Sequence, residues 1–297
     1  MPLASTGELV TRAAAARSAV ASFNIITLEH VEAVVAGAES VNAPVVLQVS
    51  ENAVGFHRGR LLPLARAAVA AAESATVPVA LHLDHVRSET LLRQAPEAGF
   101  SSVMYDASRL PYEANLAATR AAVRWAHARG LWIEAELGRI GGKDGRDGPA
   151  GPPPDAHAPG ARTDPDEARA FVAGSGVDAL AVAVGSAHAM TTRTAALDHT
   201  LLRRLSGVLD VPLVLHGSSG VPDGELAAAV AGGIAKVNVG TALNIAMTAA
   251  IREFLGAHPE AVDPRRYLAA GREAMAGTVA AFVRVLAPGA AGGPASA

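Results

Sequence analysis

Residues 19–50, AVASFNIITLEHVEAVVAGAESVNAPVVLQVS, contain the pattern that decides the fold. Short apolar runs rich in β-branched residues occupy 19–24 and 43–50, and an Ala/Val-rich segment at helical spacing, 27–40, separates them. This order of strand, helix and strand is typical of a parallel βαβ unit. The first turn lacks the GxGxxG sequence that often opens a doubly wound open sheet, so the pattern favours a closed barrel over that alternative.

The same alternation continues along the chain and predicts one α/β domain, 1–297, folded as a (β/α)8 TIM barrel. Eight strands are predicted, at 19–24, 43–50, 78–84, 100–105, 131–137, 178–184, 211–216 and 234–239. Helices are predicted between them, at 27–40, 58–75, 88–98, 112–129, 164–174, 198–208, 222–232 and 241–257. An N-terminal helix capped at Ser5 or Thr6 and an extra C-terminal helix, 264–286, complete the expected fold.

Two segments carry no strand or helix pattern. Residues 138–163, rich in Gly and Pro, are too long for a plain turn and are predicted to form a mobile active-site loop. The last residues, 287–297, have low complexity and are predicted to be a disordered tail.

Composition limits the classes of function. Half of the residues are hydrophobic and the formal charge is −3, which indicates a large aliphatic core and argues against a broad nucleic-acid surface while allowing small anionic substrates. The chain has no Cys, so a metal would be bound by His, Asp or Glu. The N-terminus lacks the pattern of a secretory signal, and no apolar run reaches the roughly 18 residues that span a bilayer. We therefore expect a cytoplasmic protein without a membrane partner.

Polar side chains gather where the predicted strands end, which is where barrel enzymes place their active sites. His85, His188 and His216 follow strands three, six and seven, and three imidazoles with one open position are typical of a catalytic zinc site. His82 is expected to be buried with its hydrogen bonds satisfied. The remaining histidines are expected on solvated helices or loops: His30, His57, His127, His157, His199 and His258.

The loops after strands seven and eight predict a phosphate site. Barrels commonly bind phosphate there, because small residues let backbone N–H groups approach and a helix N-terminus adds positive potential. The two loops read Gly217-Ser218-Ser219-Gly220 and Asn238-Val239-Gly240-Thr241.

Seven blocks in this order, SFNI, HLDH, SVMYDAS, EAELG, AVGSAHAM, LVLHGSSG and KVNVGT, resemble the class II fructose-bisphosphate and tagatose-bisphosphate aldolases. The resemblance covers about 20 to 285. It implies a zinc-dependent aldolase that cleaves a phosphorylated ketose, with His85, His188 and His216 as zinc ligands and Asp84 as the general acid/base at the C4 oxygen. It further implies a homodimer or larger homo-oligomer.

The resemblance also assigns supporting residues. Asp106 and Glu136 match positions that in some members hold a second or alternative metal, and a role in orienting the ligand imidazoles is the alternative. The phosphate of dihydroxyacetone phosphate would bind to these residues: Gly217, Ser218, Ser219, Asn238, Val239, Gly240 and Thr241. Arg265 matches an arginine that reaches the distal phosphate across a dimer interface.

The sequence departs from the family at two places. Ala189 replaces a glycine that contributes to binding of phosphate and of a monovalent cation, and the added methyl group fits only if the local dihedral angles permit. In the long loop, Asp144 stands where the family usually has a Glu that moves a proton.

Two alternatives remain open. Lys236 shares the strand parity of Asn238, so it could point inward and form a Schiff base, or it could pair with Glu134. The two departures would also fit a phosphosugar-binding barrel that has lost turnover.

Overall fold

The computed structural model describes residues 3–138 and 161–287, and their strands form one closed parallel barrel in the order β1 to β8. The strands are β1 Val20–Asn24, β2 Val45–Ser50, β3 Val79–Val86, β4 Ser102–Tyr105, β5 Trp132–Leu137, β6 Ala179–Val182, β7 Leu213–Leu215 and β8 Ile234–Val239. The helices are α1 Thr6–Ala15, α2 Leu28–Glu39, α3 Glu51–Phe56, α4 Leu62–Ser74, α5 Glu89–Leu92, α6 Ala95–Ala98, α7 Tyr112–His127, α8 Pro165–Ser175, α9 His199–Val208, α10 Asp223–Ala231, α11 Thr241–Ala257 and α12 Pro264–Leu286. The prediction of a TIM barrel is confirmed.

Strand alternation divides the buried residues into an apolar outer set and an inner set that is apolar beside α1 and polar toward the carboxyl ends of the strands. Residues such as Phe23 and Leu47 pack against the surrounding helices in the main hydrophobic core. Ser22 pairs in register with Asn238 and neighbours the Gln48 side chain in the interior. A polar interior is stable only if its groups are hydrogen-bonded, so these side chains need partners from neighbouring strands.

The extra helices at the two ends of the chain pack on the barrel as predicted. Ser5 caps α1, since its Oγ accepts from the Glu8 N–H at 3.4 Å. Leu9 and Val10 of α1 pack beneath the strands, and the Ala4 N–H donates to the Val79 carbonyl at the start of β3. The helix α1 therefore closes the end opposite the strand carboxyl ends. The long helix α12 packs against α2 and α11.

Two predicted helices are wrong in extent. The helix predicted at 58–75 begins only at Leu62, and a separate short helix, α3, precedes it. The helix predicted at 88–98 divides into α5 and α6, because Pro96 lies in the first turn of α6 and cannot donate a backbone hydrogen bond to continue α5. Both differences lie in the segments that connect one strand to the next, where the helix propensity of the sequence determines the helix boundaries only weakly.

His30 also differs from expectation. It is buried on α2 rather than solvated, with its Nε2 3.2 Å from Asn244 Oδ1 and its Nδ1 3.1 Å from Thr27 Oγ1.

Most of the predicted active-site loop 138–163, which includes Asp144 and His157, and nearly all of the predicted tail 287–297 lie outside the described residues. Among the described helices, none is long and apolar enough to cross a membrane.

Candidate active site and metal centre

Three imidazoles meet at the carboxyl ends of the strands. The ring centroid of His85 lies 4.8 Å from that of His216 and 5.1 Å from that of His188, and the last two are 5.7 Å apart. One ligand atom from each ring and one carboxylate oxygen of Glu136 all lie within 4.8 Å of one another. Nitrogen and carboxylate donors at this spacing suit a divalent metal such as zinc.

Each of two imidazoles is oriented by a carboxylate. The Nδ1 of His85 donates to Asp106 Oδ2 at 3.0 Å, and Asp106 Oδ1 in turn accepts from Ser108 Oγ at 2.6 Å. The Nε2 of His216 donates to Glu134 Oε1 at 2.7 Å, and its Nδ1 lies 3.6 Å from Glu136 Oε2. These bonds leave Nε2 of His85 and Nδ1 of His216 as the nitrogens for a metal.

Lys236 points into the barrel interior and is fully buried. Its Nζ donates to Glu134 Oε2 at 2.9 Å and to Asn238 Oδ1 at 2.8 Å. It does not line the cavity described below, so the Lys236–Glu134 pair predicted as one option forms, and the geometry does not favour Schiff-base chemistry.

His82 belongs to the layer beneath the metal centre. Its Nδ1 lies 2.7 Å from Ser102 Oγ, which donates to Thr6 Oγ1 at 2.7 Å. Burial lowers the pKa of His82 well below its ordinary value of 6.5, and the nearby charge of Lys236 lowers it further. His82 is therefore neutral and buried as predicted, but its hydrogen bonds are only partly satisfied, since Nε2 has no hydrogen-bond partner among the described residues.

Asp84 and His85 reach the same cavity although they are consecutive in the chain. Neighbouring side chains of a regular strand point to opposite faces. Here His85 has a φ of 50°, and the pairing of β3 with β4 shifts register between Leu83 and Val86, so the alternation is broken. The bend places a carboxylate and an imidazole together, with Asp84 Oδ2 4.0 Å from His85 Nε2.

The carboxylate of Asp84 is held by amides and keeps one oxygen open. Its Oδ2 accepts from Asn24 Nδ2 and from Gln48 Nε2, each at 3.4 Å. Its Oδ1 accepts no hydrogen bond from any side chain or backbone group in residues 3–138 and 161–287. A buried carboxylate held by two amides beside the cavity, with one oxygen that these residues leave without a hydrogen bond, is suited to proton transfer.

The loops after β7 and β8 form one small-residue surface. Gly217 has a φ of 68°, and an added Cβ would lie 2.5 Å from the Ala187 carbonyl oxygen, so this position requires glycine. Ser219 Oγ accepts from the Ala242 N–H at 3.0 Å and so ties this loop to the first turn of α11. Gly217, Ser219, Gly240 and Thr241 line a cavity of about 390 Å³ that also contacts Asp84 and His85.

The family model for class-II fructose-bisphosphate aldolase matches residues 4–290. The chain belongs to that family. It is 37% identical over 286 residues to a fructose-bisphosphate aldolase of Geobacillus stearothermophilus, covering 96% of each chain, and 38% identical over 281 residues to one of Staphylococcus aureus, covering 94% and 95%. The crystal structure of a putative fructose-1,6-bisphosphate aldolase from Coccidioides immitis matches with a TM-score of 0.82 at 31% identity over 95% of each chain. The YdjI aldolase of Escherichia coli matches with a TM-score of 0.80 at 30% identity, covering 96% and 97%.

Within this class-II aldolase, the structure brings together most of the predicted site residues. The cavity is lined by Asp84, His85, Asp106, His188, Ala189, Gly217, Ser219, Asn238, Gly240 and Thr241. The side chains of Ser218 and Val239 do not reach it: Ser218 Oγ donates to the Leu215 carbonyl at 3.2 Å, and Val239 packs in the hydrophobic core. Successive side chains of a 3₁₀ turn and of a strand point in different directions, so neighbours in a loop motif separate.

Arg265 lies apart from the cavity of its own chain. Its side chain is 89% exposed on the first turn of α12, and its guanidinium binds Asp263 with an Nη2–Oδ2 distance of 2.6 Å. The bond from Arg265 lowers the pKa of the Asp263 carboxyl.

Ala189 lies at the cavity in a strained conformation. Its φ is 59°, in the left-handed region that favours glycine, so the aldolase retains the backbone shape of a glycine with an alanine in place.

Sequence reasoning missed several residues on the cavity wall. They are Asn24, Gln48, Ser50, Glu51, Arg87, Arg109 and Asn244. Asn24 and Gln48 lie at the ends of the predicted strands 19–24 and 43–50, so the strand-end criterion used for the other strands would have found them.

Proposed function

We propose that this protein is a zinc-dependent aldolase that reversibly cleaves fructose 1,6-bisphosphate, or its stereoisomer tagatose 1,6-bisphosphate, to dihydroxyacetone phosphate and glyceraldehyde 3-phosphate. The observation that carries the proposal is the convergence of three imidazoles beside the open carboxylate oxygen of Asp84 at the barrel mouth.

The donor set fits a catalytic zinc ion. His85, His188 and His216 supply neutral nitrogen donors, and the carboxylates of Asp106 and Glu134 hold two of the rings in the required tautomers. Glu136 supplies an oxygen for the same ion or for a second divalent metal. Bound zinc would act as a Lewis acid at the ketose carbonyl and so stabilise the negative charge left when the carbon–carbon bond breaks.

Asp84 performs the proton transfer at C4. In cleavage its open Oδ1 accepts the proton of the C4 hydroxyl group while the C3–C4 bond breaks, the C4–O bond becomes a carbonyl, and the electron pair stays on C3. In condensation the same oxygen returns the proton. The amides of Asn24 and Gln48 fix the carboxylate for both directions. An acid from the long loop, with Asp144 as the candidate, would protonate C3 to complete dihydroxyacetone phosphate.

The β7 and β8 loops bind the phosphate next to the reacting carbons. Gly217 allows close backbone approach, and the first turn of α11, which begins at Thr241, places a positive dipole end beside the cavity. A glycine would leave this surface more open than Ala189 does. We further propose a homodimer or larger homo-oligomer, in which Arg265 could serve a neighbouring site.

A coupled assay over a panel of ketose phosphates tests the function. We expect release of triose phosphate from a bisphosphate, loss of activity with EDTA, recovery with Zn²⁺, and a fall in kcat of about 10²- to 10⁴-fold in Asp84→Ala. Metal and sugar-phosphate binding without turnover would instead favour a non-catalytic barrel. Borohydride trapping of substrate on Lys236 would favour a Schiff-base aldolase.

A further inference from the structure

We propose, building on the aldolase function above, that Arg87 and Arg109 form a second anion-binding subsite. It holds an anionic group, a phosphate or a carboxylate, on the end of the substrate farthest from the β7 and β8 loops. Recognition of the distal end is then supplied by the same chain that supplies the metal ligands.

The strand order places the two anion sites on opposite sides of the barrel mouth. In a closed eight-stranded barrel numbered in order, β3 lies opposite β7 and β4 lies opposite β8. Arg87 directly follows β3, and Arg109 follows β4 by four residues. Both arginines line the cavity that Ser219 and Thr241 line from the other side. A substrate that spans the cavity therefore has the β7 and β8 loops at one end and two guanidinium groups at the other.

Both arginines extend from backbone that is anchored. Glu51 Oε2 accepts from the backbone N–H of Arg87 at 2.6 Å and from that of Ser88 at 3.3 Å. Glu51 thus holds the loop without a bond to the Arg87 guanidinium, which forms no ion pair with any carboxylate in residues 3–138 and 161–287. Arg109 follows the turn in which Asp106 Oδ1 accepts from the N–H and Oγ of Ser108. A cationic side chain carried on anchored backbone beside the cavity is suited to ligand binding.

The charges at the two ends select the substrate class. Guanidinium groups bind phosphate and carboxylate through paired hydrogen bonds, and bonds to charged groups are the strongest that side chains form. A substrate with a neutral distal end, such as fructose 1-phosphate, offers no anionic group to either arginine. The site is therefore built for a sugar with an anionic group at each end.

Kinetics on two substrates that differ only in the distal phosphate test the subsite. We compare kcat/KM for fructose 1,6-bisphosphate and fructose 1-phosphate in the wild type, in Arg87→Gln/Arg109→Gln, and in Arg203→Gln/Arg204→Gln. The last variant removes two exposed charges of α9 that lie outside the cavity. We expect the first double variant to lose about tenfold or more on the bisphosphate and less than about twofold on the monophosphate. We expect Arg203→Gln/Arg204→Gln, the control, to keep the wild-type ratio of kcat/KM for the bisphosphate to kcat/KM for the monophosphate.

Two kinetic outcomes would overturn the proposal. One is an equal loss on both substrates, which would mean that the arginines support the fold or the metal centre. In the other, the preference for the bisphosphate, measured as the ratio of the two kcat/KM values, is unchanged in Arg87→Gln/Arg109→Gln but disappears in Arg265→Gln. That result would assign recognition of the distal group to Arg265 of a neighbouring subunit.

A binding measurement separates this inference from the proposed function. Mannitol 1,6-bisphosphate and mannitol 1-phosphate cannot be cleaved. Calorimetric titration with each compound therefore measures how much the distal phosphate contributes to affinity without turnover. Tighter binding of the bisphosphate that disappears in Arg87→Gln/Arg109→Gln supports the subsite even in an enzyme inactive on fructose bisphosphate. Equal binding of the two compounds by the wild type refutes it. Condensation of dihydroxyacetone phosphate with glyceraldehyde 3-phosphate, tartronate semialdehyde or glyceraldehyde then distinguishes phosphate, carboxylate and neutral acceptors.

Discussion

Glu134 has two separable roles, and substitution by Gln is expected to impair both. Its Oε2 neutralises the buried Lys236 at 2.9 Å, and its Oε1 orients His216 at 2.7 Å. Glu134→Gln leaves a buried ammonium whose remaining bond is to Asn238, and breaking a buried pair in this way costs about 3–5 kcal/mol. The same change weakens the hydrogen bond that orients a metal ligand, which typically costs about 10- to 100-fold in metal affinity.

A second substitution separates the two roles. Lys236→Met in the Glu134→Gln background removes the unpaired charge, so the double variant should recover roughly 1–3 kcal/mol relative to Glu134→Gln alone. It should not recover zinc affinity, because His216 still faces an amide. The stability of each variant is measured by urea unfolding of the metal-free protein, and zinc affinity by competition with a chelating indicator. Exposed Glu253→Gln on α11 is the control and should change stability by less than about 0.5 kcal/mol.

Two results would refute this reasoning. A loss of less than about 1 kcal/mol in Glu134→Gln would mean that the pair does not stabilise the barrel. Recovery of both stability and zinc affinity in the double variant would mean that Glu134 acts on the metal only through Lys236.

Three further substitutions test other parts of the site. Ala189→Gly should stabilise the protein by about 0.5–1 kcal/mol in urea unfolding, because relief of a left-handed φ exceeds the entropy cost of glycine, whereas Ala128→Gly at a φ of −62° should bring no gain. Asp106→Asn should weaken zinc binding about 10- to 100-fold in the indicator assay through loss of the His85 bond, and unchanged affinity would contradict an orienting role. Burial holds the pKa of His30 below 6.5, so the unfolded state takes up the proton first. The stability that His30 contributes is thus full above pH 6.5 and falls as the pH drops below it. The difference in unfolding free energy between wild type and His30→Gln should shrink between pH 7.5 and 5.5, and a constant difference would contradict this.

The sequence predicted the cluster of three imidazoles because strand ends converge in a barrel whatever their separation along the chain. His85 and His188 are 103 residues apart, and topology alone brings their rings to 5.1 Å. The same logic missed Asn24 and Gln48 because it was applied to the ends of strands three to eight and not to those of the first two strands. Their amides act through Asp84, and nothing in the sequence marks an amide as the partner of a particular carboxylate.

The directions of individual side chains within a strand or a turn could not be predicted from the sequence. A period of two places Asp84 and His85 on opposite faces, and only the left-handed φ of His85 brings them together. Ser218 and Ser219 read as equivalent in the sequence, yet the 3₁₀ turn directs one toward the Leu215 carbonyl and the other to α11. The role that the family resemblance predicts for Arg265 would need a second chain, which no pattern within one sequence describes.

The buried charges explain why metal binding and folding should be coupled in this barrel. Four carboxyl groups are buried in the described residues, those of Asp84, Asp106, Glu134 and Glu136, against the single buried ammonium of Lys236. All four lie at or beside the imidazole cluster, where like charges in a medium of low dielectric repel strongly. A divalent cation among the imidazoles offsets that repulsion in the folded state alone, so it stabilises the fold in proportion to its affinity. We therefore expect the metal-free barrel to be less stable than the barrel with a divalent metal bound among the imidazoles.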